Sequence, residues 1–373
     1  MDRRKFLAVA GVLGAGFIAG CGESDSGSQS TATSPAPNNT SSSPTESDKP
    51  VNPKVQGEIA TGLDVPWGIA FLESGAALVS MRESGDVVRI TPDGDTQTVG
   101  TVPGVVGGRP QQGEGGLLGL AFPPDDEETL FAYLTTANDN RIVKMSYKDN
   151  KLGNPQNVLT GIDHNVHHNG GQIVFGSDGL LYAATGDAEN GQNSQNKGSL
   201  NGKILRINQD GDPAKHNPFD SPVFSYGHRN IEGLAFDDDG RLWATEFGDQ
   251  AADELNLIEK GKNYGWPHVE GKGGGSEYTD PKAVWEPTST SSPAGLAIVR
   301  STAFVGALRG QCLFGVPLDG EKAGKPKSYF AEKYGRIRAV AAAPDGVLWV
   351  TTSNTDGRAD PKSDDDRILR VEL

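Results

Sequence analysis

One short pattern recurs through most of this chain and constrains its fold more than any other feature. One or two apolar residues precede a turn, and an apolar or alternating strand follows. Asp-Gly in such a turn favours a tight β-hairpin, because glycine readily adopts positive φ. The copies start roughly 40–70 residues apart, which is typical of propeller blades that carry loop insertions. The clearest copies are 71–79, 122–133, 175–183, 236–244 and 343–350.

A further strand pair, 303–307 and 312–316, fills the long gap before the last copy. No segment has a sustained apolar period of 3.6 residues, which disfavours helical and βαβ folds. The 50 glycines and 23 prolines agree with many short strands joined by turns. The sequence therefore predicts an all-β, six-bladed β-propeller over residues 55–373. In such a fold, functional groups collect on loops around one mouth of the central channel.

The first residues are typical of an export signal, which we place at 1–21. Arg3-Arg4 before Phe6-Leu7 resembles a twin-arginine signal, and the apolar run that follows is short for a membrane span. The string IAGC ends at Cys21 and resembles a lipobox, which predicts lipidation of Cys21. The alternative is an ordinary cleaved signal with an incidental cysteine.

Residues 22–54 are rich in Ser, Thr and Pro and have no apolar periodicity, so we expect a disordered linker. With a lipid at Cys21, the protein would be held at the outer face of the cell membrane and touch it only through that anchor. The formal net charge of −15 argues against nucleic acid and anionic lipid surfaces as partners. Cys312 is the second of two cysteines, so a cysteine-rich zinc site is excluded, and we expect a buried, inert thiol there.

Polar clusters lie between the apolar copies, where propeller loops reach the channel. His164, His167 and His168 have no cysteine or His-x3-His helix beside them, so a catalytic or hydrogen-bonded histidine is favoured over zinc. Taken alone, a buried structural histidine is the commoner case. Arg336 and Arg338 are two residues apart and face one side of a strand. Several arginines aimed at one channel would repel one another unless an anionic ligand offset the charge.

Another polar cluster, formed by Asp249, Asp253 and Glu254, offers the hard oxygen ligands that calcium requires. By residue counting alone, a solvated acidic loop is the simpler interpretation of these carboxylates.

The body of the chain, from residue 62 to 371, resembles the glucose/sorbosone dehydrogenase family. These are soluble aldose sugar dehydrogenases that use pyrroloquinoline quinone (PQQ). Any one matching string would be weak, but six occur in order between the predicted blades. The strings are EGGLLG at 114–119, HNGG at 168–171, LNGKILR at 200–206, YGHRN at 226–230, DELN at 253–256 and NYGWP at 263–267.

The resemblance implies a role for each matching residue. His168 would be the general base that takes the proton of the sugar C1 hydroxyl while hydride passes to PQQ. Arg229 would stabilise negative charge on the quinone oxygen, and Asn230 would bind the quinone beside it. The remaining cofactor contacts would come from Glu114, Arg309, Arg336 and Arg338, the three arginines pairing with the cofactor carboxylates.

Calcium is the second cofactor that the resemblance implies. Backbone carbonyls of Gly248 and Asp249 would hold an ion against PQQ, where it acts as a Lewis acid. Glu254 and the Tyr264 carbonyl resemble the ligands of a second, structural calcium. Three departures from the family stand out: Asp249 replaces a usual proline, Arg309 stands where lysine is common, and Ala251-Ala252 replaces small polar or glycine residues.

The resulting hypothesis is an exported quinoprotein that oxidises an aldose at C1 to the lactone and passes electrons to an unidentified acceptor. One alternative is a non-enzymatic propeller that binds a sugar or another surface ligand, since propellers host many functions. Another is a calcium-dependent, lactonase-like hydrolase, with its calcium deep in the channel and no need of arginines. The joint presence of a base and an arginine cluster favours the first hypothesis.

Overall fold

Residues 51–373 are described by a computed structural model of the protein. The predicted export signal, the lipidation of Cys21 and almost all of the predicted linker lie outside these residues. The first strand begins at Lys54, one residue before the boundary that we drew for the propeller. No helix within the described residues has the length and apolar character needed to cross a membrane.

Within residues 51–373, twenty-six strands build six antiparallel sheets arranged as blades. The first three blades are β2–β5, β6–β10 and β11–β14, and β9 adds to β8 at the edge of the second. Their strands, with β1, are β1 (Lys54–Ala60), β2 (Pro66–Phe71), β3 (Ala77–Met81), β4 (Asp86–Ile90), β5 (Thr96–Thr101), β6 (Leu117–Ala121), β7 (Thr129–Thr135), β8 (Asn140–Lys148), β9 (Lys151–Leu152), β10 (Gln156–Ile162), β11 (Gly170–Phe175), β12 (Leu181–Thr185), β13 (Lys203–Ile207) and β14 (Val223–Tyr226).

The fourth and fifth blades are β15–β18 and β19–β23, with β22 and β23 both paired to β21. The sixth is completed by β1, which pairs with β26 and so joins the two ends of the described chain in one sheet. The strands are β15 (Ile231–Phe236), β16 (Leu242–Glu246), β17 (Asp253–Ile258), β18 (Ala283–Trp285), β19 (Pro293–Val299), β20 (Thr302–Ala307), β21 (Cys312–Asp319), β22 (Lys322–Ala323), β23 (Lys327–Tyr329), β24 (Ile337–Ala342), β25 (Leu348–Thr352) and β26 (Ile368–Glu372).

Helical structure is confined to short turns in the described residues. These are the single turn α1 (Gln192–Gln195) and two 3₁₀ turns at Arg109–Gln111 and Thr288–Thr290. The innermost strands β2, β6, β11, β15, β19 and β24 contact one another in order, and β24 contacts β2 to close the ring. The prediction of an all-β, six-bladed propeller is confirmed.

The predicted hairpins connect the innermost strand of a blade to its second strand. Gly179, Gly240 and Gly346 of the Asp-Gly turns have φ of 73°, 78° and 83°, a backbone region that residues with a Cβ seldom adopt. Apolar side chains from neighbouring sheets fill the spaces between blades, among them the fully buried Trp243 and Trp349. Blade-to-blade burial therefore makes the ring one continuous framework.

Every innermost strand that carries a predicted site residue starts at the same end of the channel. His168 precedes β11, Arg229 and Asn230 precede β15, and Arg336 precedes β24. The propeller therefore brings residues that are more than a hundred positions apart to one mouth.

Candidate functional site

A cavity of about 330 Å³ lies at this mouth and brings most of the predicted site residues together. It is lined by residues from the loops that precede or follow the strands of five blades. The residues among them that the sequence singled out are Glu114, His167, His168, Arg229, Gly248, Asp249, Asp253, Arg309 and Arg336. Asn230, Arg338, Glu254 and Tyr264 are buried in the surrounding structure and do not line it.

His168 is fixed in the cavity through both its backbone and its ring. Its backbone has a φ of 58°, and its backbone N–H donates to Glu114 Oε2 at 2.8 Å. Its Nδ1 lies 2.7 Å from Oδ1 of Asp187, and the other oxygen of Asp187 accepts the Trp266 indole N–H at 2.8 Å. A carboxylate beside Nδ1 keeps the proton there in the neutral ring, so Nε2 is the nitrogen able to accept a proton.

Glu114 links His168 to the neighbouring blades. Besides the His168 N–H, its carboxylate lies 3.4 Å from Asn230 Nδ2 and 3.6 Å from Arg358 Nη1. Burial acts to raise the pKa of Glu114, but Arg358 and the His168 N–H outweigh it and lower that pKa. Glu114 is therefore ionised, and it holds the His168 backbone and Arg358 at the same cavity.

Arg229 enters the cavity from the loop before β15. Its backbone N–H donates to Glu246 Oε1 at 2.6 Å, and its Nη2 lies 3.0 Å from Asp249 Oδ1. Its guanidinium carbon lies 5.2 Å from the centre of the Trp266 ring. Its Nε is buried without a hydrogen-bond partner. Because a buried donor without an acceptor is costly, this nitrogen is suited to an acceptor atom of a ligand.

Asn230 lies directly under this part of the cavity. Its side chain is completely buried, and its Oδ1 accepts the Gly170 backbone N–H at 2.9 Å. Asn230 therefore holds the start of β11 next to His168, a contact between two blades.

The three predicted carboxylate-binding arginines have different surroundings. Arg309 is exposed at the rim and has no ion pair within residues 51–373. Arg336 is buried and pairs with Asp356 at 2.9 Å, so it lines the cavity with its charge already balanced. Arg338 pairs with the buried Glu232 at 2.5 Å and lines a second cavity, at the opposite end of the channel. Most of the like-charge repulsion expected from the sequence is therefore balanced by carboxylates of the protein itself.

Asp356 connects the last two arginines. One of its oxygens lies 2.9 Å from Arg336 and 3.6 Å from Arg338. Burial acts to raise its pKa, but the two arginines outweigh that effect and lower it. The start of β24, with Arg338 inside it and Arg336 just before it, is thereby anchored by one ionised side chain.

Gly248 and Asp249, the predicted calcium loop, are held in place by a side chain from a later loop. Oε1 of Glu270 accepts four consecutive backbone N–H groups, those of Asp249, Gln250, Ala251 and Ala252, at 2.6 to 3.1 Å. Proline at position 249 would have no N–H to satisfy. Glu270 therefore supplies the acceptor that the change to Asp249 requires.

The predicted second calcium site is an entirely buried polar cluster. Glu254 Oε2 accepts Asn256 Nδ2 at 2.9 Å, and the same amide lies 3.2 Å from Glu246. Burial, with the nearby Glu246 carboxylate, raises the pKa of Glu254 to about 8. Tyr264 donates its hydroxyl to Leu257 O at 2.6 Å. Within residues 51–373, no three or more His, Cys, Asp or Glu side chains are grouped as metal ligands.

Four site residues were not singled out from the sequence, namely Asp187, Trp266, Glu270 and Arg358. Trp266 lies inside the string NYGWP that we had noted, so its place in the sequence was a usable signal, whereas Asp187 lies outside all six strings. Glu270 and Arg358 lie in loops without a strand pattern, and only the folded chain shows their partners.

Comparisons with known proteins place the chain beside sugar dehydrogenases. A sequence model described as Glucose / Sorbosone dehydrogenase matches residues 63–368. The PQQ-bound aldose sugar dehydrogenase of Streptomyces coelicolor is 48% identical with a TM-score of 0.82, over 86% of this chain and 98% of that one. The aldose sugar dehydrogenase YliI of Escherichia coli is 27% identical over 79% of this chain and 89% of its own length. Quinoprotein glucose dehydrogenase B of Acinetobacter calcoaceticus is 32% identical over 57% of this chain and 52% of its own length.

Proposed function

The chain belongs to the glucose/sorbosone dehydrogenase family, and we propose that it is a PQQ-dependent dehydrogenase that oxidises an aldose at C1 to the lactone. One observation carries the proposal: the His168–Asp187 pair and Arg229 face the same cavity. A positioned base and a cation beside it are the two groups needed to remove a hydroxyl proton and to stabilise negative charge.

The residues of the cavity fit PQQ, an anionic and planar cofactor. The buried Arg229 Nε lacks an acceptor, and Arg309 lacks an ion pair among the described residues. Arg336 and Arg358 add two further guanidinium groups to the wall. When bound, PQQ supplies the hydride acceptor of the reaction. Arg229 would bind its quinone end with Asn230 beneath it, and Arg309 and Arg336 would bind its carboxylates. The expectation that Arg338 joins them is not kept, because Arg338 is paired with Glu232 and lines the cavity at the opposite end of the channel.

His168 would act as the base at its Nε2. The proton of the C1 hydroxyl moves to Nε2, and Asp187 stabilises the imidazolium through the Nδ1–H bond of 2.7 Å. The Trp266 N–H holds the second oxygen of Asp187, so the carboxylate cannot turn away from the ring. Glu114 would position His168 by accepting the His168 backbone N–H. The Glu114 carboxylate would also contact the cofactor or the substrate.

Calcium is proposed at two places. The Gly248 and Asp249 carbonyls would hold an ion at the cofactor, since Glu270 binds the N–H groups of this loop and the Asp249 carbonyl accepts only a long contact of 3.4 Å from Thr288 Oγ1 within residues 51–373. The Glu254 region and the Tyr264 carbonyl would hold a structural ion. There, Asn256 Oδ1 is a buried acceptor without a donor, and two carboxylates lie close together, as a cation would favour.

The sequence of residues 1–21 supports export and a lipid anchor at Cys21 on the outer face of the cell membrane. The electrons would then leave to an acceptor outside the cytoplasm. The substrate is a small aldose, and no nucleic acid takes part.

Steady-state dye reduction tests the proposal. The purified protein is loaded with PQQ and calcium, and a panel of aldoses is added to wild type and to the variants His168→Ala and His164→Ala. His164 lies on the same loop but lines a different cavity, so it is the matched control. We expect turnover that requires PQQ, is lost in His168→Ala and persists in His164→Ala.

Each alternative has its own result in this assay. Sugar binding without turnover in wild type would favour a non-enzymatic propeller. Hydrolysis of a lactone without PQQ would favour a hydrolase. The hydrolase hypothesis requires calcium deep in the channel, but there the Glu232 carboxylate is already paired with Arg338.

A further inference from the structure

Lys203, the first residue of β13, has a buried ammonium group that no carboxylate accompanies. The side chain is completely buried and has no ion pair within residues 51–373. Its Nζ lies 2.7 Å from Asn193 O, 3.1 Å from Ser194 O and 2.6 Å from Asn201 O. Three donors meet three backbone carbonyls, an arrangement that is complete only when the amine is protonated.

All three carbonyls come from the loop between β12 and β13, residues 186–202. The loop folds back over the lysine through α1, which contributes Asn193 and Ser194. Gly202, beside Lys203, has a φ of 66°, and a Cβ there would collide with Ser194 Oγ and His228 O. The loop is thus packed closely around the ammonium group, with no space for a side chain at position 202.

The same loop carries one half of the catalytic pair. Asn193 Nδ2 donates to the backbone oxygen of Asp187 at 3.1 Å, and Asn201 Nδ2 donates to Gly186 O at 3.0 Å. The Asp187 backbone N–H in turn donates to Arg229 O at 2.8 Å. Two of the three residues that Lys203 binds, Asn193 and Asn201, are therefore one hydrogen bond from the segment that presents Asp187 to His168.

The loop also holds the segment that presents Arg229. Ser194 O accepts the Gly227 N–H at 3.0 Å, and Ser194 Oγ donates to His228 O at 2.6 Å. Gln195 Nε2 donates to Trp266 O at 2.6 Å, which fixes the indole that binds Asp187. The turn α1 therefore bonds to the segments that carry Asp187, Arg229 and Trp266. The Lys203 ammonium binds two carbonyls of this turn.

A buried charge without a counter-ion is costly, and a methionine of similar size would avoid that cost. Backbone carbonyls converging on one point are, however, the ligands with which proteins hold cations. We propose that Lys203 is a positioning residue, a built-in cation that gathers the 186–202 loop and so sets Asp187, Trp266 and Arg229 around His168. The catalytic consequence rests on the proposed function, whereas the loop-ordering role does not.

The central test compares Lys203→Met, Lys203→Ala and the exposed-site control Lys322→Met. For Lys203→Met we expect kcat to fall roughly tenfold to a hundredfold with KM little changed, because the pair is displaced and the substrate contacts are kept. Amide hydrogen exchange of residues 187–195 should quicken, while the exchange of β20 stays as in wild type. Lys322→Met should match wild type in all three measurements.

Chemical rescue separates charge from packing. Lys203→Ala leaves the carbonyls facing a space that a small alkylammonium ion can enter. Ethylammonium should restore kcat and slow the exchange of the loop in Lys203→Ala, and should change neither in Lys203→Met. Lys203→Met with wild-type exchange and kcat, or rescue of Lys203→Ala by neutral ethanol as well as by ethylammonium, would overturn the proposal.

Amide hydrogen exchange is measured on protein without cofactor, so its result can be interpreted even if no sugar is oxidised. In that case the proposed function fails while the loop-ordering role is still decided. Should neither variant fold, side-chain ¹⁵N spectra of wild type at pH 6 decide the matter. The proposal requires one slowly exchanging lysine ammonium signal with couplings to backbone carbonyls, and the absence of such a signal would refute it.

Discussion

Replacing Asp187 by asparagine is the change that probes the catalytic pair most sharply. The side chain is 1% exposed, and its two oxygens bind His168 Nδ1 at 2.7 Å and the Trp266 N–H at 2.8 Å. Asparagine has the same size and can still accept one of these bonds, so the fold and the substrate contacts are kept. The carboxylate that, in the proposed mechanism, stabilises the imidazolium is lost.

The magnitude follows from that single interaction. A hydrogen bond to a charged partner contributes about 1.5–3 kcal/mol, and each 1.36 kcal/mol is tenfold in rate. We therefore expect kcat of Asp187→Asn to fall roughly 10- to 150-fold while KM changes less than about threefold. Dye-coupled steady-state kinetics with PQQ-saturated protein measure both.

The chain offers a matched control for this variant. His167 Nδ1 lies 2.7 Å from Glu189 Oε1, a second histidine–carboxylate pair on the same two loops, and both of its side chains are more than a third exposed. An exposed pair contributes little, so Glu189→Gln should retain nearly full kcat. An unchanged kcat in Asp187→Asn, or an equal loss in Glu189→Gln, would refute the role that we give to Asp187.

Three further predictions concern the supports of the site. Arg338→Met leaves Glu232 buried without its partner and should lower the free energy of unfolding by about 3–5 kcal/mol in urea melts. Arg309→Met should leave the free energy of unfolding unchanged and should weaken PQQ binding. Glu270→Ala leaves four backbone N–H groups without an acceptor and should weaken calcium binding by about tenfold in a calcium titration; unchanged affinity would exclude calcium at this loop. Burial lowers the pKa of Lys203 to about 7, so the ammonium form that gathers the loop predominates in the folded chain below about pH 7. Between about pH 7 and 10 the unfolded chain keeps this proton and the folded chain loses it, so the stability of wild type relative to Lys203→Met should rise by up to about 1.4 kcal/mol per pH unit. Parallel stability curves would contradict this.

The fold was predictable because its signals are local. Each Asp-Gly hairpin is encoded within about ten residues, and the positive φ of Gly179, Gly240 and Gly346 is what such turns require. The position of His168 and Arg229 at one mouth followed from the same regularity, since both precede an innermost strand.

The contacts that complete the site are not local, and the sequence could not predict them. Glu270 caps a loop about twenty positions earlier, and Arg358 meets Glu114 from another blade. The two-residue spacing of Arg336 and Arg338 correctly placed both on the channel side, but spacing cannot say which end of the channel each reaches. That depends on Asp356 and Glu232, which the fold brings to them.

A single-turnover spectrum without any acceptor tests the central claim most directly. The protein is loaded with PQQ and calcium in the absence of oxygen, one equivalent of an aldose is added, and the absorbance of the bound cofactor is followed. We predict that wild type and His164→Ala convert the cofactor to its reduced form, and that His168→Ala binds it equally but leaves it oxidised. Bound PQQ that stays oxidised in wild type with every aldose of the panel, or that is reduced as fast in His168→Ala, would contradict it.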